Sequence, residues 1–96
     1  MTRDDEALSA LAAGGALDVD ELEPLAVVMG ALEAQTAPNA GAVASLRRGC
    51  AFALGDAFAA ALCDDAGAPA EVAARFFRLR DLVRLHGELR RHPRHH

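Results

Sequence analysis

Two cysteines are the residues of this chain whose type could support redox chemistry. Cys50 and Cys63 are thirteen positions apart, and on one continuous helix this separation corresponds to about 20 Å. A disulfide requires Cα atoms within roughly 7 Å of each other. We therefore predict two reduced thiols without an internal bridge. Cys63 is expected to be the more reactive, because it lies nearer the polar face and the loop that follows.

Three histidines near the carboxyl end could bind a metal. His92, His95 and His96 follow the last predicted helix, and Pro93 interrupts them. A structural zinc site needs a complete set of ligands that the fold holds in place, and nothing in this segment does so. We predict no metal site and no cofactor. We rank a small enzyme or metal protein built on Cys63 and these histidines below two other functions, protein binding and nucleic-acid binding.

Charge divides the chain into two parts. Seven of its ten arginines and all four histidines lie from Pro69 onward, whereas the preceding part has eleven acidic residues and three arginines. On a helical wheel, Phe77 falls on the charged side of the last helix. An aromatic residue among arginines is typical of interface hot spots. We predict that a partner contacts this side of the last helix at Phe77, Arg80, Arg84 and Arg91. The partner is also expected to contact Phe52, which lies off the apolar stripe of the preceding helix.

Nucleic acid is the alternative partner. The arginines of helix 70–91 could follow a phosphate backbone, which would make the chain a nucleic-acid-associated regulator. The net charge of -4 and the pI of about 5.4 oppose this interpretation. Three acidic residues on the same helix, Glu71, Asp81 and Glu88, also oppose it.

The sequence contains no recognisable catalytic pattern. The acidic residues at 18–23 open a helix, where carboxylates favour capping and the helix dipole. Their spacing lacks the glycine and the final glutamate of a calcium loop. No phosphate-binding glycine pattern and no nucleophile elbow occurs. We therefore predict a protein that is not an enzyme.

The composition predicts an all-α fold. Ile, Trp and Tyr are absent, and the abundant Ala, Leu, Glu and Arg are strong helix formers. Turn-forming clusters divide a single domain, residues 1–96, into three substantial helices and a short N-terminal one, packed as a small bundle or orthogonal array. The predicted segments are 4–13, 20–35, 40–63 and 70–91, with about 92–96 as a flexible tail.

Two local details of these helices matter for function. Asp20 is predicted to cap the second helix, with Glu23 three residues later. In the third helix Gly49, Ala53, Ala57 and Ala61 recur every four residues, which predicts that a neighbouring helix approaches closely. Gly55-Asp56 could instead divide this segment into a short hairpin, and the sequence leaves both arrangements open.

Part of the third segment resembles a tetratricopeptide helix pair. The resemblance is carried by Gly49, Phe52, Phe58 and Ala61, with Leu54-Gly55-Asp56 between them, and it covers about a quarter of the chain. The tryptophan and leucine positions that lead this repeat hold Ser45 and Arg48, so we do not assign the chain to the family. The resemblance implies a role in holding peptides, as in the small helical chaperones of bacterial secretion systems.

These observations predict a protein–protein interaction module, such as a small chaperone, adaptor or regulatory subunit. The charged first residues predict no signal peptide. No apolar run reaches the roughly 18 residues of a membrane span, so we expect a cytoplasmic protein. The lysine-free, Ala/Arg-rich composition is typical of GC-rich coding, as in bacteria. An alanine-rich core buries limited area, so we also expect self-association, most simply as a homodimer.

Overall fold

The fold is entirely helical in the described part of the chain. The computed structural model describes residues 3–15 and 17–91, with side chains for 6–15 and 17–89. It contains α1 (Arg3–Ala13), α2 (Val19–Leu32), α3 (Ala40–Leu54), α4 (Asp56–Cys63) and α5 (Pro69–Arg91). The all-α prediction is confirmed, although the third predicted helix is two helices. None of the described helices is long and apolar enough to cross a membrane.

The longest helix, α5, is the centre of the fold. It packs against the other four helices. Its start at Pro69 is favourable because proline lacks the N–H that the first turn leaves unpaired. The apolar stripe predicted for this helix is buried at Val72, Phe76, Leu79, Leu82 and Val83, whereas Leu89 at the end of the predicted stripe is half exposed. The arginine-rich helix is therefore the scaffold of the core as well as part of the surface.

A single glycine divides the third predicted helix. Gly55 lies between α3 and α4 at φ 103° and ψ 163°, a conformation that is costly for any residue with a Cβ atom. The two helices pack against each other as a hairpin, and Cys50 and Cys63 are close enough for each to shift the pKa of the other. The separation of about 20 Å expected for a continuous helix is therefore wrong.

The second helix begins slightly earlier than predicted and ends earlier too. Its N-cap residue is Asp18, whose side chain makes no capping hydrogen bond, so the predicted cap at Asp20 is wrong. Asp20 lies inside the first turn, where its charge still faces the positive end of the helix dipole. The helix ends at Leu32 rather than at Gln35.

Two backbone hydrogen bonds join the α2–α3 connection to the α4–α5 connection and to the first turn of α5. The N–H of Asn39 donates to the carbonyl of Gly67, and the N–H of Ala70 donates to the carbonyl of Gln35, both at 3.0 Å. Asn39 also caps α3, because its side-chain oxygen accepts a hydrogen bond from the N–H of Ala42 at 3.0 Å. These bonds fix where α3 begins relative to α5.

The first helix depends on docking, as its short apolar edge predicts. It packs against α5 and α4, and it buries Leu8 and Ala12 almost completely. A helix of 11 residues is marginal in water without such packing.

Candidate functional site

The structure brings two of the predicted contact residues together and turns them partly inward. Phe77 is half-buried against the core, and its ring meets that of Phe76 edge to face, with centroids 5.5 Å apart. The guanidinium carbon of Arg80 lies 4.8 Å from the centroid of the Phe77 ring. The Nε atom of Arg80 is buried without a hydrogen-bond partner. Much of this pair's contact area is therefore already used within the chain.

The other predicted contact residues lie outside this pair. Arg84 is exposed, and its Nη1 atom lies 3.8 Å from Oδ1 of Asp81 in an ion pair open to solvent. The side chain of Arg91 and the histidines at 92–96 lie outside the described residues. Phe52 is on a different helix, α3, and 95% of its surface is exposed. The four predicted residues whose side chains are described therefore lie on two helices, Phe52 on α3 and the other three on α5.

An open apolar groove lies between α2 and α3. No Cα atom of α2 lies within 8 Å of a Cα atom of α3, and both helices belong wholly to the described chain. The space between them has a volume of about 320 Å³. Its lining is almost entirely apolar and consists of Leu25, Val28, Met29, Leu32, Ala42, Ser45, Leu46, Gly49 and Cys50.

The groove has a buried floor and exposed rims. Met29 and Cys50 are almost fully buried at its floor, whereas Val28 is 49% exposed on the α2 side. A Cβ atom added at Gly49 would meet nothing within 4 Å. The close helix neighbour predicted from the small residues of α3 is therefore absent at this position in the described chain. Gly49 instead faces open space.

The two rims of the groove differ in charge. Glu21 lies one turn before Leu25 on the same side of α2, and the segment 18–33 carries five acidic residues and no basic one. On α3, the Nη2 atom of Arg48 donates to Oγ of Ser45 at 3.1 Å, which holds a positive charge beside the opposite rim. Glu21 thus places a negative charge at the α2 rim and Arg48 a positive charge at the α3 rim, whereas Asp18 and Asp20 line a separate hollow against α5.

Phe52 extends the α3 rim. It lies seven positions after Ser45, which is two helical turns along the same face. Because its ring is 95% exposed, it adds nothing to the core. A large aromatic side chain beside an apolar groove is a feature of interfaces.

A second cluster surrounds the sulfur of Cys63 at the end of α4. Nε of Arg47 donates to Oδ1 of Asp64 at 2.8 Å. Nη1 of Arg75 donates to the carbonyl oxygens of Asp64 at 2.8 Å and Leu62 at 3.3 Å. Arg75 thereby satisfies carbonyls at the negative end of the α4 dipole. Both guanidinium groups are held close to Cys63.

The two thiols are electrostatically unequal. A hydrogen bond with Cys50 lowers the pKa of Cys63, and the charges of Arg47 and Arg75 lower it further, against the opposing effects of burial and Asp64. The same hydrogen bond, followed by burial, raises the pKa of Cys50. Cys63 is thus the thiol that ionises first, and Cys50 keeps its proton. Both are free and buried.

A further hollow lies between α1 and α4, with a volume of about 570 Å³. Its walls are mainly alanines, with Leu11 on one side and Asp64 and Asp65 at the edge. Alanine offers little contact area to a ligand, so this hollow has weaker recognition chemistry than the α2–α3 groove. In the described residues, no three His, Cys, Asp or Glu side chains are close enough together to hold a metal ion.

No protein-family model matches the chain, and no curated protein or solved structure is significantly similar to it. The tetratricopeptide resemblance therefore has no support from a family model.

Sequence reasoning missed both the groove and the thiol pair. The signal for the thiol pair was Gly55, because a break there is what brings Cys50 and Cys63 together. The groove had a weaker signal. Leu25, Val28 and Leu32 fall on one apolar stripe, but periodicity does not reveal that the neighbouring helix stands too far away to cover it.

Proposed function

We propose that this protein is a non-enzymatic binding module that holds an amphipathic helix of a protein partner in the groove between α2 and α3. The observation that carries the proposal is the apolar groove itself, which separates two helices with no Cα atoms within 8 Å of each other. The module would act in the cytoplasm as a small chaperone, adaptor or regulatory subunit.

A helix suits this groove better than an extended peptide. Its walls are helix faces with Leu25 and Leu32 on one side and Leu46 on the other. They offer side chains to pack between and no exposed sheet edge for strand addition. Helix-in-groove recognition uses apolar residues at i, i+3/i+4 and i+7 of the ligand. The open space at Gly49 lets the backbone of such a helix approach closely.

The charge of the rims indicates the chemistry of the partner. The acidic α2 rim, with Glu21 exposed beside the groove, favours basic residues on the flank of the bound helix that faces α2. The Arg48 side favours acidic or polar residues on the opposite flank. Because charge complementarity adds specificity more than affinity, the apolar stripe would supply most of the binding free energy.

The groove, together with Phe52, is a better contact surface than α5 alone. Phe77 and Arg80 contact each other within the chain, and Arg75 is used to hold the end of α4. Because Arg75 and Arg80 already make contacts within the chain, fewer arginines remain on one face of α5 to follow phosphates. This supports protein binding over nucleic-acid binding.

Two neighbouring valines allow a matched test. Val28 is 49% exposed and lines the groove, whereas Val27 is 78% exposed and does not line it. The probe is an 18-residue peptide (a length of about 27 Å at 1.5 Å per residue) of leucine and lysine arranged with helical periodicity. Isothermal titration calorimetry should detect binding that Val28→Asp abolishes and Val27→Asp leaves intact.

Peptide controls separate groove binding from simple charge attraction. A peptide of the same composition without helical periodicity should not bind. A leucine–glutamate version should bind more weakly, because its charges meet the acidic α2 rim. Equal binding of all three peptides, or equal effects of the two valine substitutions, would contradict the proposal.

The same variants identify other occupants. If a second copy of the chain fills the groove, sedimentation will show a dimer that Val28→Asp dissociates and Val27→Asp does not, and the homodimer would replace the separate partner. The nucleic-acid alternative is tested with labelled duplex and single-stranded oligonucleotides at two salt concentrations. We expect no binding tighter than about 10 µM, which is within the non-specific range.

A further inference from the structure

The α3–α4 hairpin places the only two cysteines of the chain against each other. Cys50 comes from α3 and Cys63 is the last residue of α4, and both belong to one buried cluster. The 2.8 Å bond from Arg47 to Asp64 joins α3, one turn before Cys50, to the residue that follows Cys63. Each side chain is almost completely buried, with 2% and 3% exposure. Such a pair needs no large rearrangement of the backbone to become a disulfide, because the two helices already pack together.

The surroundings of the two sulfurs give them different roles. Arg47 and Arg75 are fixed near Cys63 by their hydrogen bonds to residues of the α4 end. Cys50 lies at the apolar floor of the groove. A thiolate is the nucleophilic form of cysteine, and nearby cations favour it. The lowered pKa of Cys63 and the raised pKa of Cys50 agree with this asymmetry.

We propose that Cys50 and Cys63 are a redox-active pair that a peroxide converts into an intramolecular disulfide, with Cys63 as the attacking sulfur and Cys50 as the resolving sulfur. This function is independent of the groove's occupant. It also reverses the expectation of two reduced thiols without an internal bridge, which follows from a continuous helix.

The chemistry balances in two steps. The Cys63 thiolate attacks one oxygen of hydrogen peroxide and breaks the O–O bond, which gives Cys63 sulfenic acid and hydroxide. The Cys50 sulfur then attacks the sulfenic sulfur and forms the S–S bond. The sulfenic hydroxyl leaves as water: it keeps its own proton and takes up the proton of the Cys50 thiol. The hydroxide of the first step takes up the proton that Cys63 released when it ionised, which gives the second water. Two thiols are oxidised by two electrons, and one peroxide is reduced to two waters. A dithiol reductant reverses the result by thiol–disulfide exchange.

Peroxide can reach Cys63 from the end of α4. The residues that follow, Asp64 and Asp65, form an exposed turn, and Asp65 has a positive φ of 64°. Helix ends open locally at low free-energy cost. Opening of the last turn exposes Cys63 before Cys50, which lies inside α3.

Mass spectrometry of the intact chain tests the product. The reduced protein is freed of reductant and treated with one equivalent of hydrogen peroxide. We expect a monomer lighter by two hydrogens that has lost both titratable thiols and that a dithiol reductant restores. A disulfide-linked dimer as the main product, or sulfinic acid at Cys63 without loss of two hydrogens, would overturn the proposal.

Single substitutions test the two roles. In Cys50→Ser the oxidation should stop at Cys63 sulfenic acid, which dimedone traps, whereas Cys63→Ser should yield no trapped adduct at the same peroxide dose. An adduct of equal yield at Cys50 in the second variant would show that the assigned roles are wrong.

Arg47 and Arg48 are neighbours in the sequence, and they allow a matched test of how positive charge affects the reactivity of Cys63. Arg47→Ala removes a cation beside Cys63, whereas Arg48→Ala removes one that bonds to Ser45 instead. Below pH 8 we expect a several-fold slower oxidation for Arg47→Ala and little change for Arg48→Ala, with the difference closing as the pH rises and all Cys63 becomes thiolate. A pH-independent difference would indicate a structural effect and would overturn the assignment of Arg47.

Discussion

Arg80 lies over the ring of Phe77, with 4.8 Å between its guanidinium carbon and the ring centroid. Both residues were predicted to contact a partner, yet each is the other's neighbour within the chain. A cation over an aromatic face contributes about 0.5–1 kcal/mol at an exposed site and more when water is excluded. The pair therefore stabilises the fold in addition to any role in binding.

The two off-stripe phenylalanines should differ in their effect on stability. Phe77→Ala removes a half-buried ring together with its contacts to Phe76 and Arg80, and we expect the free energy of unfolding to fall by about 1–3 kcal/mol, less than the 3–5 kcal/mol of a fully buried phenylalanine. Phe52→Ala removes a ring that is 95% exposed and should change stability by less than about 0.5 kcal/mol. Urea unfolding measures both. Equal losses would contradict the assigned environments.

Alanine substitutions at Gly55 and Gly30 should have opposite effects on the stability of the protein. At φ 103°, Gly55→Ala should cost about 1–3 kcal/mol of stability through backbone strain alone, since an added Cβ would meet nothing within 4 Å. Gly30 lies inside α2 with equally open surroundings, and Gly30→Ala should stabilise the protein by up to about 1 kcal/mol. Thermal unfolding followed by circular dichroism distinguishes the two signs. A neutral Gly55→Ala would mean that the α3–α4 break does not depend on this conformation.

Three substitutions of Asn39, whose side chain caps α3, should lower the free energy of unfolding by different amounts. Asn39→Ala removes the acceptor for the N–H of Ala42 and should lower the free energy of unfolding by about 1 kcal/mol. Asn39→Ser and Asn39→Asp keep an oxygen at the N-cap and should lose much less. Chemical denaturation of the three variants tests this order, and equal losses in all three would point to another role for the side chain.

The thiol pair predicts an unusual dependence of stability on alkaline pH. From its lowered pKa up to about pH 8.5, the ordinary thiol value, Cys63 has lost its proton in the folded chain but keeps it in the unfolded chain, so stability rises with pH. Above about pH 8.5 the unfolded chain releases both protons, whereas the raised pKa of Cys50 retains one in the fold, so stability falls. The groups that act on Cys63 are Cys50, Arg47, Arg75 and Asp64.

The composition makes this effect measurable. The chain has no lysine and no tyrosine, so few other groups titrate between about pH 8 and 10. We expect a stability maximum near about pH 8.5 in urea unfolding under a non-thiol reductant. The double variant Cys50→Ser/Cys63→Ser should lack it. A maximum of the same height in both proteins would assign the effect to other groups.

Local residue types and spacing were sufficient to predict the helices. Helix propensity and the 3.6-residue period depend on neighbours in the chain. The class, the apolar stripe of α5 and the start of that helix near Pro69 follow from them. The same spacing indicates which side of a helix is apolar. It therefore identified Leu25 and Leu32 on one stripe, and it identified Phe52 as lying off the stripe of α3.

Only the tertiary structure decided which face of each helix is covered, because burial depends on elements that are distant in sequence. Phe77, on the charged side of α5 by its spacing, is half-buried because the rest of the chain packs around that helix. Val28, on the apolar stripe of α2, is half exposed because α3 stands too far away to cover it. One glycine with a positive φ turns α4 back on α3, and this long-range contact brings Cys50 to Cys63.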